Sequence, residues 1–363
     1  MSSKIFLFTI LSFFMVYHSV AQVPKEFKKN WESTPQTVQA RVGLDTLIYD
    51  SVRINLLDLG YFDVNFLDVD WNGNLGAYDF GLERILYFPK SDYMNIKEYG
   101  DGEGRGPREF MNAYDLKFDK NQNIWLTDVG EGRISQWSKE GELLQIFPPS
   151  KKYVLPARLA VCDNNTLFVI SEQYSNDGFY QHIGLDGKHL KSFKKVDNHF
   201  FQFPSYSDGE LDCDQQGALY HAGIYREYIR KYDYEGNLVF SRSVVDFEPN
   251  PKDLIKEEKE GLFGKWYTRI ENIRRASGDV VVQDGLIYVG FSGKKPGEAY
   301  LGMIDVYSST DGEYKYSFTF PYRTQEFTIL NDRVYTLEFD ENEDLYLAVY
   351  RLPKFRLLTE GIR

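Results

Sequence analysis

Five short segments of the chain share one pattern, an aliphatic residue followed by an aromatic one: NIWLTD from Asn123, TLFVIS from Thr166, ALYHAG from Ala218, LIYVGF from Leu286 and RVYTLE from Arg333. A sixth, NLGAYD from Asn74, fits by its neighbours, with Gly76 in place of the aromatic residue. A unit recurring about every 40 to 50 residues means a propeller or a solenoid. Ahead of these segments stand turn signals, DWNGN at Asp70, DKNQN at Asp119, DNNT at Asp163, DQQG at Asp214, QDG around Asp284 and LND around Asp332. Asp and Asn close such turns by bonding their own backbone.

A second hairpin signal follows in each unit, at Gly141, Gly187, Gly236 and Gly312. The unit therefore reads strand, turn, strand, longer loop, strand, turn, strand, and four antiparallel strands make one propeller blade. Moving back 49 residues from WLTDVGEGRISQW lands on GAYDFGLERILYF, with Asp79 under Asp128 and Arg84 under Arg133. The hairpin glycines are separated by 46, 49 and then 76 residues, so the last interval holds an insertion. Its segment GLFGKWYTRIENIRR places Leu262, Phe263, Trp266, Tyr267, Ile270 and Ile273 at helical spacing, which predicts a helix within an insertion spanning residues 247–276. The last unit, Glu326 to Leu352, has room for three strands, while TLIYDSVRINLL, from Thr46 to Leu57, is an orphan at the other end. Pairing the two would close the ring and remove exposed edges. The expected fold is all-β: a six-bladed β-propeller of four-stranded antiparallel blades, the last completed by an N-terminal strand, with one helical insertion between blades four and five.

The chain opens with a lysine, an apolar stretch from Ile5 to Tyr17 and the small residues Ser19 and Ala21, the pattern of a secretory signal peptide cleaved near Ala21. Residues 1–21 are thus expected to be a leader, 22–36 an N-terminal extension and 37–363 the propeller. The expected compartment is extracytoplasmic, and no cysteine near the cleavage point invites lipid attachment. Without Lys4 of the leader, 41 basic residues face 54 acidic ones, a formal charge of −13 that disfavours nucleic acid as a partner.

The segment TDVGEGRISQW, with Asp128 and Arg133 around a short loop, resembles the NHL-type propeller repeat. GEGRGPREF is similar to a Gly-Pro-Glu-Phe signature of secreted six-bladed propellers common in Bacteroidetes, a TolB-like and NHL-like group, with Arg108 where that signature carries glycine. The resemblance implies fold and compartment more than activity.

The glycine run YGDGEGRGPREF, Tyr99 to Phe110, fails both phosphate-binding registers: a dinucleotide fingerprint meets Arg105 or Pro107 where its third glycine belongs, and no Gly-Lys-Ser/Thr follows. It reads as a connection between blades. The Asp-x-Asn runs at Asp70 and Asp119 start like calcium loops but have Leu75 and Ile124 at position six and Gly81 and Gly130 at position twelve, so they read as turns. Asp128 with Arg133, and Asp79 with Arg84, read as ion pairs bracing a loop. Cys162 and Cys213 hold equivalent places in consecutive units; face-packed sheets lie about 10 Å apart, so both are expected as free thiols. His182, His189, His199 and His221 match no zinc spacing, and no Gly-x-Ser-x-Gly elbow is present. No cofactor is expected, with a single axial divalent cation left open.

Connections from one blade's outer strand to the next blade's inner strand emerge on one face, and here they are rich in aromatic and basic residues. Arg105, Arg108, Tyr153, Phe201, Tyr206, Trp266, Tyr267, Arg269, Tyr322 and Arg323 are therefore the candidate ligand-binding residues. The expected function is an extracytoplasmic binding protein presenting this face to a glycan, peptide or protein, with a planar or anionic ligand group favoured by the bases. The alternative is a metal-dependent propeller hydrolase or lyase of the lactonase or amidating-lyase kind, with its active site on the axis.

Overall fold

Three of the six expected turn aspartates, Asp70, Asp119 and Asp214, act as their positions imply, and Asp340, which is not among the six, does so too; the carboxylates of Asp163, Asp284 and Asp332 accept no such amide among the described residues. In the computed structural model, Asp70 Oδ1 accepts the backbone N–H groups of Asn72 and Asn74 at 2.9 Å each. Asp119 repeats the arrangement with Asn121 and Asn123, at 2.8 and 2.9 Å. Asp214 and Asp340 do the same in later units. Each such turn starts a hairpin, so the repeat read from the sequence becomes a repeat of strands. The structure describes residues 33–353 except 39, 151–153, 176–177, 195–208, 225–227, 246–254, 262–263, 270–276 and 293–299. The expected leader, 1–21, and most of the expected extension lie outside the described residues.

The chain enters through β1 (Asp45–Thr46) and β2 (Ile48–Asn55), followed by a 3-10 turn at Leu57–Leu59. The first four-stranded sheet comprises β3 (Val64–Val69), β4 (Leu75–Asp79), β5 (Arg84–Phe88) and β6 (Lys97–Tyr99). The second holds β7 (Ala113–Phe118), β8 (Ile124–Asp128), β9 (Arg133–Trp137) and β10 (Leu143–Phe147). The third is β11 (Val154–Cys162), β12 (Thr166–Ser175), β13 (Gly178–Gly184) and β14 (His189–Phe193), and the fourth β15 (Gly209–Cys213), β16 (Leu219–Gly223), β17 (Tyr228–Tyr232) and β18 (Leu238–Ser243). All four are antiparallel with neighbours in chain order, which gives a propeller-like arrangement of four-stranded blades.

Next come β19 (Ile255–Gly261) and β20 (Gly264–Arg269), paired antiparallel from Ile255↔Arg269 to Gly261↔Gly264. This corrects the expected helix: the described part of the insertion is a hairpin. Its aromatic and β-branched residues in GKWYTR suit a strand, and apolar positions in so short a run satisfy either period. Then β21 (Ser277–Gln283), β22 (Leu286–Phe291), β23 (Leu301–Ser308), β24 (Tyr314–Leu330), β25 (Arg333–Phe339) and β26 (Leu345–Arg351) run in one sheet, in the order β2-β26-β25-β24-β23-β22-β21. The 17-residue β24 pairs with β23 over its first part and with β25 over its last, so it passes from the edge of one four-stranded set into the next. The orphan N-terminal segment lies antiparallel to the last strand, Ile48↔Arg351 to Asn55↔Tyr346.

Ahead of β2 the chain forms a strap over outer strand edges. Thr34 bridges Arg242 of β18, Gln36 donates to the carbonyls of Ser243 and Gly312 at 2.7 and 2.9 Å, and β1 runs parallel to β24. Arg41 reaches Asp305 at 2.8 Å, with both side chains buried. The apolar cores lie between successive sheets: Tyr78 and Ile85 of the first pack with Leu116 and Trp137 of the second, and Leu75 and Leu86 pack with Tyr335 and Leu347. Each sheet thus buries both faces, and each such buried side chain contributes roughly 1.5–3 kcal/mol.

Cys162 and Cys213 form a disulfide with a Cα separation of 5.6 Å, which overturns the expectation of two free thiols. Both residues end innermost strands, β11 and β15, and innermost strands converge well inside the spacing of face-packed sheets. The sequence rule applied the mid-sheet distance to the one place where it fails.

Candidate functional site

The innermost strands β3, β7, β11, β15, β21 and the end of β24 line an axial channel. At one level of each lies a buried apolar residue, Leu67, Leu116, Leu159, Leu211, Val280 and Phe327. The residue before it faces the axis at the end carrying the long connections: Phe66, Asp115, Arg158, Glu210, Asp279 and Glu326 all line one cavity of 350 Å³. The residue after it forms the next layer, where Asp68, Lys117, Asp212, Val281 and Thr328 line a second cavity, of 830 Å³, opening on the face of the aspartate turns. Lys117 borders both.

Backbone irregularities aim these side chains. A register shift runs up to the axial residue in β7, β11 and β24 and spans it in β3 and β21. In two of them a non-glycine residue beside the shift adopts positive φ, Phe66 at 60° and Leu155 at 54°. Bulges of this kind turn a side chain away from simple alternation and cluster near functional sites.

The axial carboxylates also fasten neighbouring sheets. Asp68 accepts the Phe118 amide at 2.7 Å, Asp115 the Leu159 amide at 2.8 Å, Asp212 the Val282 amide at 2.6 Å and Asp279 the Phe327 amide at 2.6 Å. Glu326 accepts the Leu67 amide at 2.8 Å. Between β11 and β15 the link is different: Arg158 pairs with Glu210 at 3.0 Å, and the disulfide ties the far ends.

Burial pushes the carboxyls of Asp115 and Asp212 up to about 7, with Lys117 pulling both back. Burial, then the charges of Glu326 and Glu210, push Asp279 well above the carboxylate range. For Lys117, burial alone would lower the pKa, but Asp115, Asp68, Asp212 and Glu210 outweigh it and raise it. Lys117 therefore stays charged as the internal counter-ion of the channel waist.

The mouth of the 350 Å³ cavity adds aromatic and amide groups, Tyr114, Tyr300, Asn65 and Gln325. The Arg158 guanidinium lies 5.0 Å over the Tyr114 ring, and Gln325 donates to the Val64 carbonyl at 3.2 Å and to Asn65. Such a pocket, concave and mixed in polarity, can hold a ligand by stacking and by acceptor-rich hydrogen bonding.

Around it, the residues singled out from the sequence fall as follows. The Arg105 side chain is 80% exposed and 3.6 Å from Glu131. Arg108 pairs with Asp101 at 3.4 Å and lies 5.0 Å over Trp137. Tyr322 receives the Arg53 guanidinium at 4.3 Å. Arg323 pairs with Glu343 at 2.7 Å and sits 4.9 Å over Tyr300. Tyr153, Phe201 and Tyr206 lie outside the described residues, and for Trp266, Tyr267 and Arg269 only the backbone of β20 is described. None of the described four lines the cavity; Arg323 comes nearest, through Tyr300. The cavity residues carried a readable signal: a charge inside an apolar strand just before a turn, as in NFLDVD, YDLKFD and ELDCD.

The remaining motifs resolve structurally. The glycine run folds onto itself: Gly104 N–H donates to the Phe110 carbonyl at 3.0 Å, Phe110 N–H to Gly102 at 3.0 Å and Gly106 N–H to Glu109 Oε2 at 2.7 Å. Asp101 and Glu109 N–H likewise donate within the loop, to the Arg108 and Gly106 carbonyls. Arg133 and Asp128 form a buried pair at 3.5 Å, and Arg133 also donates to the carbonyls of Gly106 and Glu109. The matching pair is absent in the first sheet: Asp79 accepts the Leu82 amide, and Arg84 instead meets Glu98 on β6 at 3.0 Å. His221 bonds the Tyr180 hydroxyl at 2.6 Å, while His182 stacks on Phe168 at 4.2 Å.

No family model and no curated protein matches the sequence. Among solved structures, a Bacteroides fragilis protein described as exported matches with a TM-score of 0.53 and 12% identity, covering 89% of this chain and 99% of that one. A catalytically inactive variant of virginiamycin B lyase from Staphylococcus aureus with quinupristin matches with a TM-score of 0.50 and 14% identity, over 80% of each chain. Both neighbours are propeller proteins, and at these identities they show the fold alone.

Proposed function

We propose that the chain is an exported six-bladed propeller that binds a peptide or glycan in the cavity on the connection-bearing end of its axis. Six follows if β24 is counted twice, as the outermost strand of β21-β22-β23-β24 and the innermost of β24-β25-β26-β2. Export is read from the apolar leader and its small-residue end; no helix among the described residues is long and apolar enough to cross a membrane.

One observation carries the binding reading: the innermost strand of every set contributes a side chain to a single 350 Å³ cavity. Fastening of neighbouring sheets accounts for the axial carboxylates, but not for the Tyr114 and Tyr300 rings gathered at the mouth of the same cavity. The rim residues Arg105, Arg108, Tyr322 and Arg323, with Tyr153, Phe201, Tyr206, Trp266, Tyr267 and Arg269 on the same connections, are proposed as outer contacts.

The test is a peptide and oligosaccharide array probed with the mature chain, followed by calorimetry on the hits. Tyr114→Ala and Gln325→Ala should each weaken binding about tenfold, the equivalent of about 1.4 kcal/mol, with the melting temperature nearly unchanged. Arg105→Ala should change affinity far less. Full affinity in both cavity variants would refute the assignment of the cavity.

A further inference from the structure

We propose a second ligand site, in the 830 Å³ cavity on the face of the aspartate turns, that takes the uncharged sugar residues of an oligosaccharide, with the Trp71 indole as its stacking platform. It lies at the opposite end of the axis from the cavity assigned above and does not rest on that assignment. The six turns that follow the innermost strands all fall among the described residues, so the side chains around this mouth are all placed.

Trp71 directly follows Asp70, and the repeat shows what that position needs. The turn uses the aspartate and the amides two and four residues on, so the residue between has no task in the fold. The corresponding residues in the next three units are Lys120, Asn164 and Gln215, each polar, as an exposed position favours. Trp71 is the exception, for it lines the cavity while 63% exposed. Its ring is nonetheless held. The indole N–H donates to the Lys120 carbonyl of the next sheet's turn at 3.1 Å, and no other ring or cation stacks on it among the described residues. An indole fixed by its edge and unstacked on its face is a platform for a flat apolar surface.

The rest of the rim is held as well. Lys120 Nζ donates to the Asp163 carbonyl at 2.8 Å, Lys231 Nζ to the Ser309 carbonyl at 3.1 Å, and Gln283 exchanges two bonds with the Asn331 backbone, at 2.6 and 3.0 Å. Each tie joins two successive sheets, so the mouth is preorganised and binding has less to order. By contrast, the side chains of Asp163, Gln215, Gln216, Asp284 and Asn331 are exposed along the same cavity and make no bond among the described residues. Amides donate and accept, and carboxylates accept, which matches hydroxyls that do both. A pyranose offers the two complementary surfaces, a face of C–H bonds for the ring and an edge of hydroxyls for the polar groups. A stacked peptide side chain would leave those five groups to water. Charge narrows the class further: seven aspartates line the cavity against Lys117, Lys120 and Lys231, a field that repels uronic acids and phosphates.

The experiment is calorimetry on the full mature chain at low salt against cellohexaose, laminarihexaose, mannohexaose and N-acetylchitohexaose, with hexagalacturonate as the anionic counterpart. At least one of the four neutral sugars should bind with a Kd below about 1 mM, and hexagalacturonate should bind weakest. Trp71→Ala should weaken that binding about tenfold or more, and Trp71→Phe should keep most of it. The melting temperature should hardly change in either. If Trp71→Ala does not fold, Gln215→Ala combined with Gln216→Ala reads the same loss. Tyr114→Ala, at the other end of the axis, should leave the affinity as it was. Absence of binding by all four sugars, tighter binding of hexagalacturonate, or affinity that survives Trp71→Ala overturns the proposal. So does a peptide that needs Trp71 when no sugar binds. An oligosaccharide lost in Tyr114→Ala and kept in Trp71→Ala overturns this site and supports the cavity at the other end; the reverse result supports this site and removes that oligosaccharide from the other cavity.

Discussion

Asp115 shows how one side chain can serve the fold and the site together. One oxygen accepts the Leu116 amide of its own strand and the other the Leu159 amide of the next sheet's strand, while the carboxylate lines the cavity. Its ordinary pKa of 3.8 is pushed up to about 7, first by burial, with Lys117 opposing. The unfolded chain releases this proton near 3.8 and the folded chain near 7, so between those values the folded state binds more protons. Stability from this group is therefore lost as pH rises from about 4 to about 7, the reverse of a salt-bridged aspartate, and Asp212 acts in the same direction. Asp115→Asn keeps an acceptor for Leu159 and cannot ionise. Calorimetric melting across this range should show a shallower fall for Asp115→Asn than for the natural protein. A slope as steep as the original would mean that Asp115 does not titrate there.

Among the elements, hairpins were the most legible in the sequence, because Asp-x-Asn turns and period-two alternation are local chemistry. Asp119 takes up its Asn121 and Asn123 amides without help from the rest of the fold, and it also gains the Trp125 indole N–H at 3.0 Å. The axial cavity was not read, because its members are single residues on separate strands: the charge inside each apolar run was visible, but the bulges that aim those side chains at one point were not. The insertion was misread for a related reason: in the run around Trp266 and Tyr267, apolar spacing fits a helix and a strand alike, and strand pairing decided it. The glycine run lies between these cases, since its role as a connection was legible but the need for each glycine was not. Gly100 and Gly102 both have positive φ, 97° and 95°. A Cβ on Gly100 would overlap the Phe110 ring, whereas on Gly102 its nearest neighbour is the Leu82 carbonyl oxygen at 3.8 Å. Gly102→Ala should thus cost only the backbone strain, about 1–2 kcal/mol, and Gly100→Ala measurably more. Urea unfolding of the two variants makes the comparison, and equal losses would show that the Phe110 ring yields freely.

For the whole molecule, the question is what keeps a ring of separately packed sheets shut. The links between innermost strands answer it almost uniformly, with a carboxylate on one sheet receiving an amide of the next. The exception is β11 to β15, where Arg158 and Glu210 supply an ion pair and Cys162 and Cys213 a covalent bond. The disulfide thus stands at the one described junction without a carboxylate-to-amide link. Equivalent positions in the repeat pointed away from this bond because spacing along a sequence does not reveal how steeply strands converge on an axis. The two cysteines are 51 residues apart, so in the chain-entropy picture the cross-link contributes about 4 kcal/mol by restricting the unfolded chain. Replacing both by serine should lower the unfolding free energy by about 2–4 kcal/mol, and the loss should be local before it is global. Amide exchange in the double variant should accelerate first in β11 and β15, while β3 and β7, held by the Asp68 link, stay protected to the global limit. Uniform acceleration would show the disulfide acting only on the unfolded chain; no acceleration and no loss of stability would show that Arg158 and Glu210 suffice to hold the junction closed.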